Sequence, residues 1–249
     1  MDYAVLLTDL TVPTREQLVA AFEHLPSLTR MDAIRRARQV CGFVAENLAH
    51  EDAMALMGGL AEQNLGAAIV PMAELPVLIQ PYRLRELRVE TGALTVFDVM
   101  QRSREVAWLD VQVLALGWVS SIKFERRGVG FHAEYPFADD DQMVVMTETT
   151  EREQVTPILE IHLVDEAGGG RSRLVAETDR IMQRRDAGEV AEKVADRYAE
   201  LLRGLAGYAQ TAVVNRGMDG FLGQAEQVKY ATRTVFEREI VWLKWLAGL

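Results

Sequence analysis

Ile158-Leu159-Glu160-Ile161-His162-Leu163-Val164 alternates in steps of two, Gly168-Gly169-Gly170 follows, and Ser172 to Thr178 runs back. Strict alternation, a glycine turn and a second extended run make a β-hairpin. The alternation sets Leu159, Ile161 and Leu163 on one face and Glu160, His162 and Val164 on the other. That predicts a polar sheet face on which His162 stands in solvent beside Glu160.

Upstream of the hairpin, Leu84–Val89, Leu94–Met100 and Val106–Leu116 all have strand character, with a turn at Thr91-Gly92 and a connection at Gln101-Arg102-Ser103-Arg104. The run Val111 to Leu116 alternates imperfectly, as expected of a strand buried on both faces. Downstream, Val190 to Tyr208 repeats Val194, Tyr198, Leu201, Leu202 and Leu205 at helical steps. Gln224 to Leu249 does the same with Val228, Ala231, Val235, Trp242 and Leu246, flanked by Phe236, Ile240 and Leu243. Trp242 and Trp245 are too large to leave in water, so this helix is expected to dock in the core or on a partner. Strands followed by helices give an α+β class for residues 83–249.

The first 72 residues read as a separate α/β module. Tyr3 to Leu7 suits a strand, and Thr14 is placed to cap a helix that Pro26 stops. Thr29 to Val40 is expected as a second helix ended by Gly42, and His50 to Asn64 as a third. Gly66 then opens the strand Ala67-Ala68-Ile69-Val70. The expected order is β-α-α-β or β-α-α-α-β. Pro71, Pro76 and Pro81 follow closely, so residues 73–82 read as a linker.

Within this module, Asp32-Ala33, the break at Cys41-Gly42, Val44-Ala45-Glu46-Asn47-Leu48, Glu51-Asp52-Ala53, Leu60 and Gly66-Ala67-Ala68-Ile69 form a pattern. It resembles the C-terminal domain of ribosomal protein L7/L12, with Val44–Leu48 as a link between helices and a two-residue insertion before the Gly-Ala strand. The resemblance implies the fold. In that family the domain recruits translation GTPases through a lysine-rich helical face. Here the matching helices carry only Arg30, Arg35, Arg36 and Arg38, and His50 to Asn64 has no base, so the factor-binding role is not carried over. The stretch Trp108-Leu109-Asp110-Val111 and the strand-then-helix ending resemble bacterial pleckstrin-homology-like barrels. The tail from Asn215-Arg216-Gly217 to Trp242-Leu243-Lys244-Trp245-Leu246 is similar to that of bacterial proteins with no assigned activity.

Charge narrows the partner. The 249 residues hold 37 acids and 27 bases, a net −10, which argues against nucleic acid and anionic membrane as targets. The excess is local: residues 1–80 and 139–180 carry it, the latter opening with Asp139-Asp140-Asp141. That run lacks the alternate acids and turn glycine of a calcium loop and reads as a solvated connection. One cysteine, Cys41, fits a reducing compartment. The N-terminus has no leader pattern, and the longest charge-free apolar stretch, about Val111 to Ile122, is too short to span a bilayer. A cytoplasmic address in a bacterium-like cell is expected.

Catalytic motifs are missing. There is no phosphate-cradling glycine loop, His50-Glu51-Asp52-Ala53-Met54 lacks the second histidine of a zinc helix, and Gly117-Trp118-Val119-Ser120-Ser121 lacks the closing glycine of a nucleophile elbow. Cys41 reads as a packing residue, and Arg126-Arg127 and Arg184-Arg185 as surface charge. No catalytic, cofactor-binding or metal-ligating residue is assigned. The expected function is a non-catalytic interaction or scaffold protein whose partner is another protein, or a second copy met through the C-terminal helix. The alternative is an enzyme whose site gathers His132, His162 and the Asp139–Asp141 loop.

Overall fold

The computed structural model describes residues 1–132, 143–165, 170–177, 191–223 and 228–249. It is an α+β chain, with two sheets among the described residues.

The first sheet is three-stranded and antiparallel, with β1 (Tyr3–Leu7) between β2 (Phe43–Leu48) and β3 (Ala67–Pro71). Three helices, α1 (Arg15–Phe22), α2 (Arg30–Ala37) and α3 (His50–Glu62), complete the unit. Both α1 and α2 start with reciprocal caps. The Thr14 hydroxyl accepts from the Gln17 N–H while the Gln17 side chain accepts from the Thr14 N–H, and Thr29 and Asp32 repeat the arrangement. Each exchange satisfies two N–H groups that a helix start leaves open.

The order is therefore β-α-α-β-α-β. Val44–Leu48, expected as a link, is most of a strand instead. The acid and left-handed turn at Glu46-Asn47 interrupt its apolar pattern, with Asn47 at φ 56°, and pairing to β1 forms regardless. The second helix stops at Ala37, three residues before the expected Val40, and Gly42 at φ +90° turns the chain into β2.

The second sheet runs, among the described residues, β10-β7-β8-β9-β4-β5-β6. Its strands are β4 (Tyr82–Val89), β5 (Leu94–Asp98), β6 (Ser103–Val106), β7 (Val111–His132), β8 (Met143–Asp165), β9 (Gly170–Glu177) and β10 (Val213–Val214); β11 (Lys229–Tyr230) pairs with β7 further along. The expected strand Val106–Leu116 is broken by a 3-10 turn at Trp108–Asp110. The hairpin expected from Ile158–Val164 and Ser172 onward is present: Ile158↔Glu177 to Asp165↔Gly170 pair in antiparallel register. Its turn residues Gly168 and Gly169 lie outside the described residues.

Helices α4 (Ala191–Tyr208), α5 (Arg216–Phe221) and α6 (Arg233–Leu246) close the chain. Of these, α5 was not legible as a helix. The last helix begins at Arg233, capped by Thr232, and not at Gln224; residues 228–232 are spent on β11 and its turn. The inner parts of β7 and β8 are buried on both faces, with Val113, Leu114, Ala115, Leu116, Leu159 and Ile161 all fully covered. One face packs on Tyr198, Leu202 and Leu205 of α4. The other packs on Val235, Phe236 and Ile240 of α6.

Helix α6 also reaches the first sheet. Trp242 and Leu243 belong to the core of β1–β3, and the Trp242 indole N–H donates to the Leu7 carbonyl at 2.7 Å. Gly42 lies flat against this ring; a Cβ there would stand 2.1 Å from Trp242 Cδ2. On the same helix, Arg238 pairs with Glu46 of β2. One helix is thus shared by both cores, and its apolar stripes are used inside the chain. No helix among the described residues is long and apolar enough to cross a membrane.

Candidate functional site

Two buried polar networks hang on α6, and an arginine-lined cleft adjoins one of them. The first network forms where β8 and β9 lie under α6. Glu160 is fully buried, yet it accepts from both Nε and Nη2 of Arg173 at 2.8 Å, from Nη2 of Arg233 at 2.8 Å, and lies 3.3 Å from Nε2 of His162. Arg173 and Arg233 also share Glu237 of α6, at 2.5 and 3.0 Å. A buried carboxylate is tolerated only with such partners. Burial works against the Glu160 charge, but hydrogen bonds from His162 and Arg173, with the charge of Arg173, outweigh it and lower its pKa. His162 moves the other way: burial and the nearby cations Lys244 and Arg173 keep its imidazole neutral below the ordinary range, against the pull of Glu160.

His162 is therefore not in solvent, as the alternation predicted; it is 3% exposed. The face it shares with Glu160 is the one α6 covers, and basic partners from β9 and α6 make that polar face buryable. Alternation identified the face but could not say what packs on it.

The second network joins α5, β11, β7 and α6. Asn215 clasps β7 by accepting from the Leu116 N–H at 2.8 Å and donating to the Leu116 carbonyl at 3.0 Å. It also donates to the Tyr230 hydroxyl, which donates in turn to Glu239 at 2.5 Å; Arg216 reaches Glu239 through its backbone N–H and Nε, each at 3.1 Å. At Gly217 a Cβ would lie 1.8 Å from the Leu116 carbonyl oxygen, so the Asn215-Arg216-Gly217 stretch needs its glycine for close approach to the strand. Cys41 sits alongside, buried, with its thiol on the Val235 carbonyl at 3.4 Å. Burial, with the Glu239 charge, pushes its pKa up to about 12. The thiol is a packing group and does not ionise near neutrality.

The cleft, about 380 Å³, opens where the second sheet curls. The start of β4 pairs with β9 and its later part with β5, so β9 and the β5–β6 pair diverge. Asp98 organises the β5–β6 turn: its carboxylate accepts from the Tyr82 hydroxyl at 2.6 Å, the Met100 and Arg102 backbone N–H groups at 2.8 Å, and Arg102 Nε at 2.7 Å. The Tyr82 bond first, and Arg102 with it, hold its pKa down at about 2. Arg104 of β6 crosses the cleft to the Ser172 hydroxyl of β9 at 3.4 Å.

The enzyme alternative depended on His132, His162 and Asp139–Asp141 converging. His132 ends β7, paired with Met143, whereas His162 stands nineteen residues further along β8. At the rise of an extended strand that is about 60 Å. The two histidines are not brought together. The Asp139–Asp141 run and Arg184-Arg185 lie outside the described residues. Among the described residues no group of three His, Cys, Asp or Glu stands close enough to hold a metal ion. Comparison with family models, curated proteins and solved structures finds no match. The networks and the cleft must be read on their chemistry alone.

That chemistry is fixed charge and hydrogen bonding. Both networks satisfy their members and seat α6, while the cleft offers guanidinium and hydroxyl donors to solvent. Sequence reasoning identified Glu160 and His162 as neighbours, but Arg173, Arg233, Glu237 and Glu239 were missed. Their signal was an arginine on the partner strand and acids within an otherwise apolar helix.

Proposed function

We propose that this chain is a non-catalytic interaction or scaffold protein, and that the outer part of the β7–β8 hairpin is the element that meets its partner. The observation that carries this reading is the register. Pairing of β8 with β9 begins only at Ile158, and β10 and β11 pair with β7 no further out than Val119. Beyond them, twelve consecutive cross-strand pairs, from Ser121↔Gln154 to His132↔Met143, form a two-stranded ribbon with no third strand among the described residues. At strand rise it is about 40 Å long.

An isolated two-stranded ribbon is marginal in water and presents two rows of unpaired backbone groups, a ready template for another strand. At its base Ile122 and Val155 are 62% and 40% exposed. Further out the register sets Met143-Val144-Val145-Met146 opposite Val129-Gly130-Phe131-His132. Such a ribbon suits strand addition by a partner protein or by a second copy of this chain. The L7/L12-C-terminal-like and pleckstrin-homology-like assignments belong to the same reading. The first is supported by the strand-helix-helix order that opens the chain and by the strand at Gly66-Ala67. The second is supported by the mixed, mostly antiparallel sheet followed by a helix. The address in this reading is the cytoplasm, where the Cys41 thiol stays reduced.

The test is a trimmed chain in which residues 122–153 are replaced by an Asn-Gly turn. Native circular dichroism is expected to persist, because the removed pairs lie beyond the last pairing of β7 and β8 with any other strand among the described residues. Proteins captured by the full chain, or its self-association by sedimentation, are expected to be lost. An unchanged partner set and association state would overturn the reading.

A further inference from the structure

We propose that the cleft between β9 and the β5–β6 pair binds the phosphate head of a small phosphomonoester. Its donors come from opposite sides: Arg102, Ser103 and Arg104 from the β5–β6 turn and β6, and Ser172 from β9. This inference stands apart from the role of the ribbon.

Arg102 is the leading residue. Its Nε is spent on Asp98 and its Nη2 lies 3.5 Å from the Tyr82 hydroxyl, but Nη1 has no partner among the described residues. Its side chain is 75% exposed while that of Asp98 is 3% exposed. The carboxylate is directed into the turn and its four acceptor positions are filled from within, so it has none left to compete for the Arg102 Nη groups. The pair acts as a strut that aims the free end of a guanidinium outward. Arg173 forms part of the cleft floor, held from behind by Glu160 and Glu237, with Nη1 only 3.5 Å from the Ile79 carbonyl.

The donor set favours phosphate over carboxylate. A guanidinium fork matches the two oxygens of a carboxylate, whereas a phosphomonoester presents a third terminal oxygen and carries up to a second negative charge. Here the outward end of Arg102 and the hydroxyls of Ser103 and Ser172 line one opening, with Arg104 spanning it to Ser172, which suits a dianion with three terminal oxygens. Val96 and Leu174 supply an apolar wall beside them for the organic part of the ligand. The volume, about 380 Å³, suits a small molecule.

The full chain is titrated calorimetrically with phenyl phosphate, inorganic phosphate and benzoate. Saturable one-to-one binding of phenyl phosphate is expected, at least tenfold tighter than benzoate, with inorganic phosphate between them. Arg102→Gln and Arg104→Gln are each expected to weaken phenyl phosphate tenfold or more. Arg85→Gln, on exposed β4 outside the cleft, is expected to leave it within twofold. Thermal melts of each variant check that the fold is intact. Absence of saturable binding by the native chain, equal affinity for benzoate, or loss of binding in none of the cleft variants would each overturn the proposal.

Discussion

Trp242→Ala tests whether one helix holds both cores. The ring is 2% exposed, lies against Gly42 and donates to the Leu7 carbonyl. A buried tryptophan removes about 200 Å² from water, which at about 25 cal/mol per Å² sets a ceiling near 5 kcal/mol. A realistic unfolded chain lowers that by some tenths of its value, while the lost hydrogen bond leaves the Leu7 carbonyl short of its donor, at about 1 kcal/mol. The sum is about 4–5 kcal/mol, within the usual cost of truncating a buried aromatic. Urea unfolding followed by far-ultraviolet circular dichroism measures it, and at this chain length the melting temperature should fall by on the order of 10 °C. Trp242→Phe keeps most of the area and forfeits the indole donor, so it should cost only about 1–2 kcal/mol. A loss below about 1 kcal/mol for Trp242→Ala would show that α6 does not hold the first sheet, and the shared-helix account would fail.

Two other outcomes follow from the buried networks. Between pH 7.5 and 5.5 unfolding free energy should fall, because the unfolded His162 takes up a proton near its ordinary value while the folded imidazole, with its pKa lowered by burial, refuses it. The slope approaches 1.4 kcal/mol per pH unit for this one proton, and His162→Gln should flatten the profile measured by urea titration; an unchanged slope would refute the assignment. Cys41, with its pKa pushed up to about 12, should fail to react with an aromatic disulfide reagent at pH 8 in the native state and react fully in denaturant. Prompt native labelling would contradict its burial.

The hairpin Ile158–Val164 with Ser172 onward, the double burial of Val111 to Leu116 and the helical stripe of α6 were all legible, since each is a local periodicity with one dominant signal. What eluded the sequence was long-range. The ribbon beyond Ser121 has charged and glycine residues mixed into its strands, so no short window marks it as extended; only pairing with its partner strand does. β2 failed for the same reason at Glu46-Asn47. The polar networks were hidden because Glu160, Arg173, Arg233 and Glu237 are far apart in the chain. The short α5 is set by Asn215 gripping Leu116, ninety-nine residues away.

The bond from Trp242 to Leu7 spans 235 residues, and that distance has a temporal meaning. At about 5–20 residues per second, a ribosome needs roughly 10–50 s to pass from one to the other. Once β3 is complete at Pro71, about 170 residues, or roughly 9–35 s, still separate the finished three-stranded sheet and its own helices from the helix that carries Trp242. Newly made chains should therefore spend seconds as half-covered intermediates, in which holding chaperones compete with a helix that has not yet been synthesised.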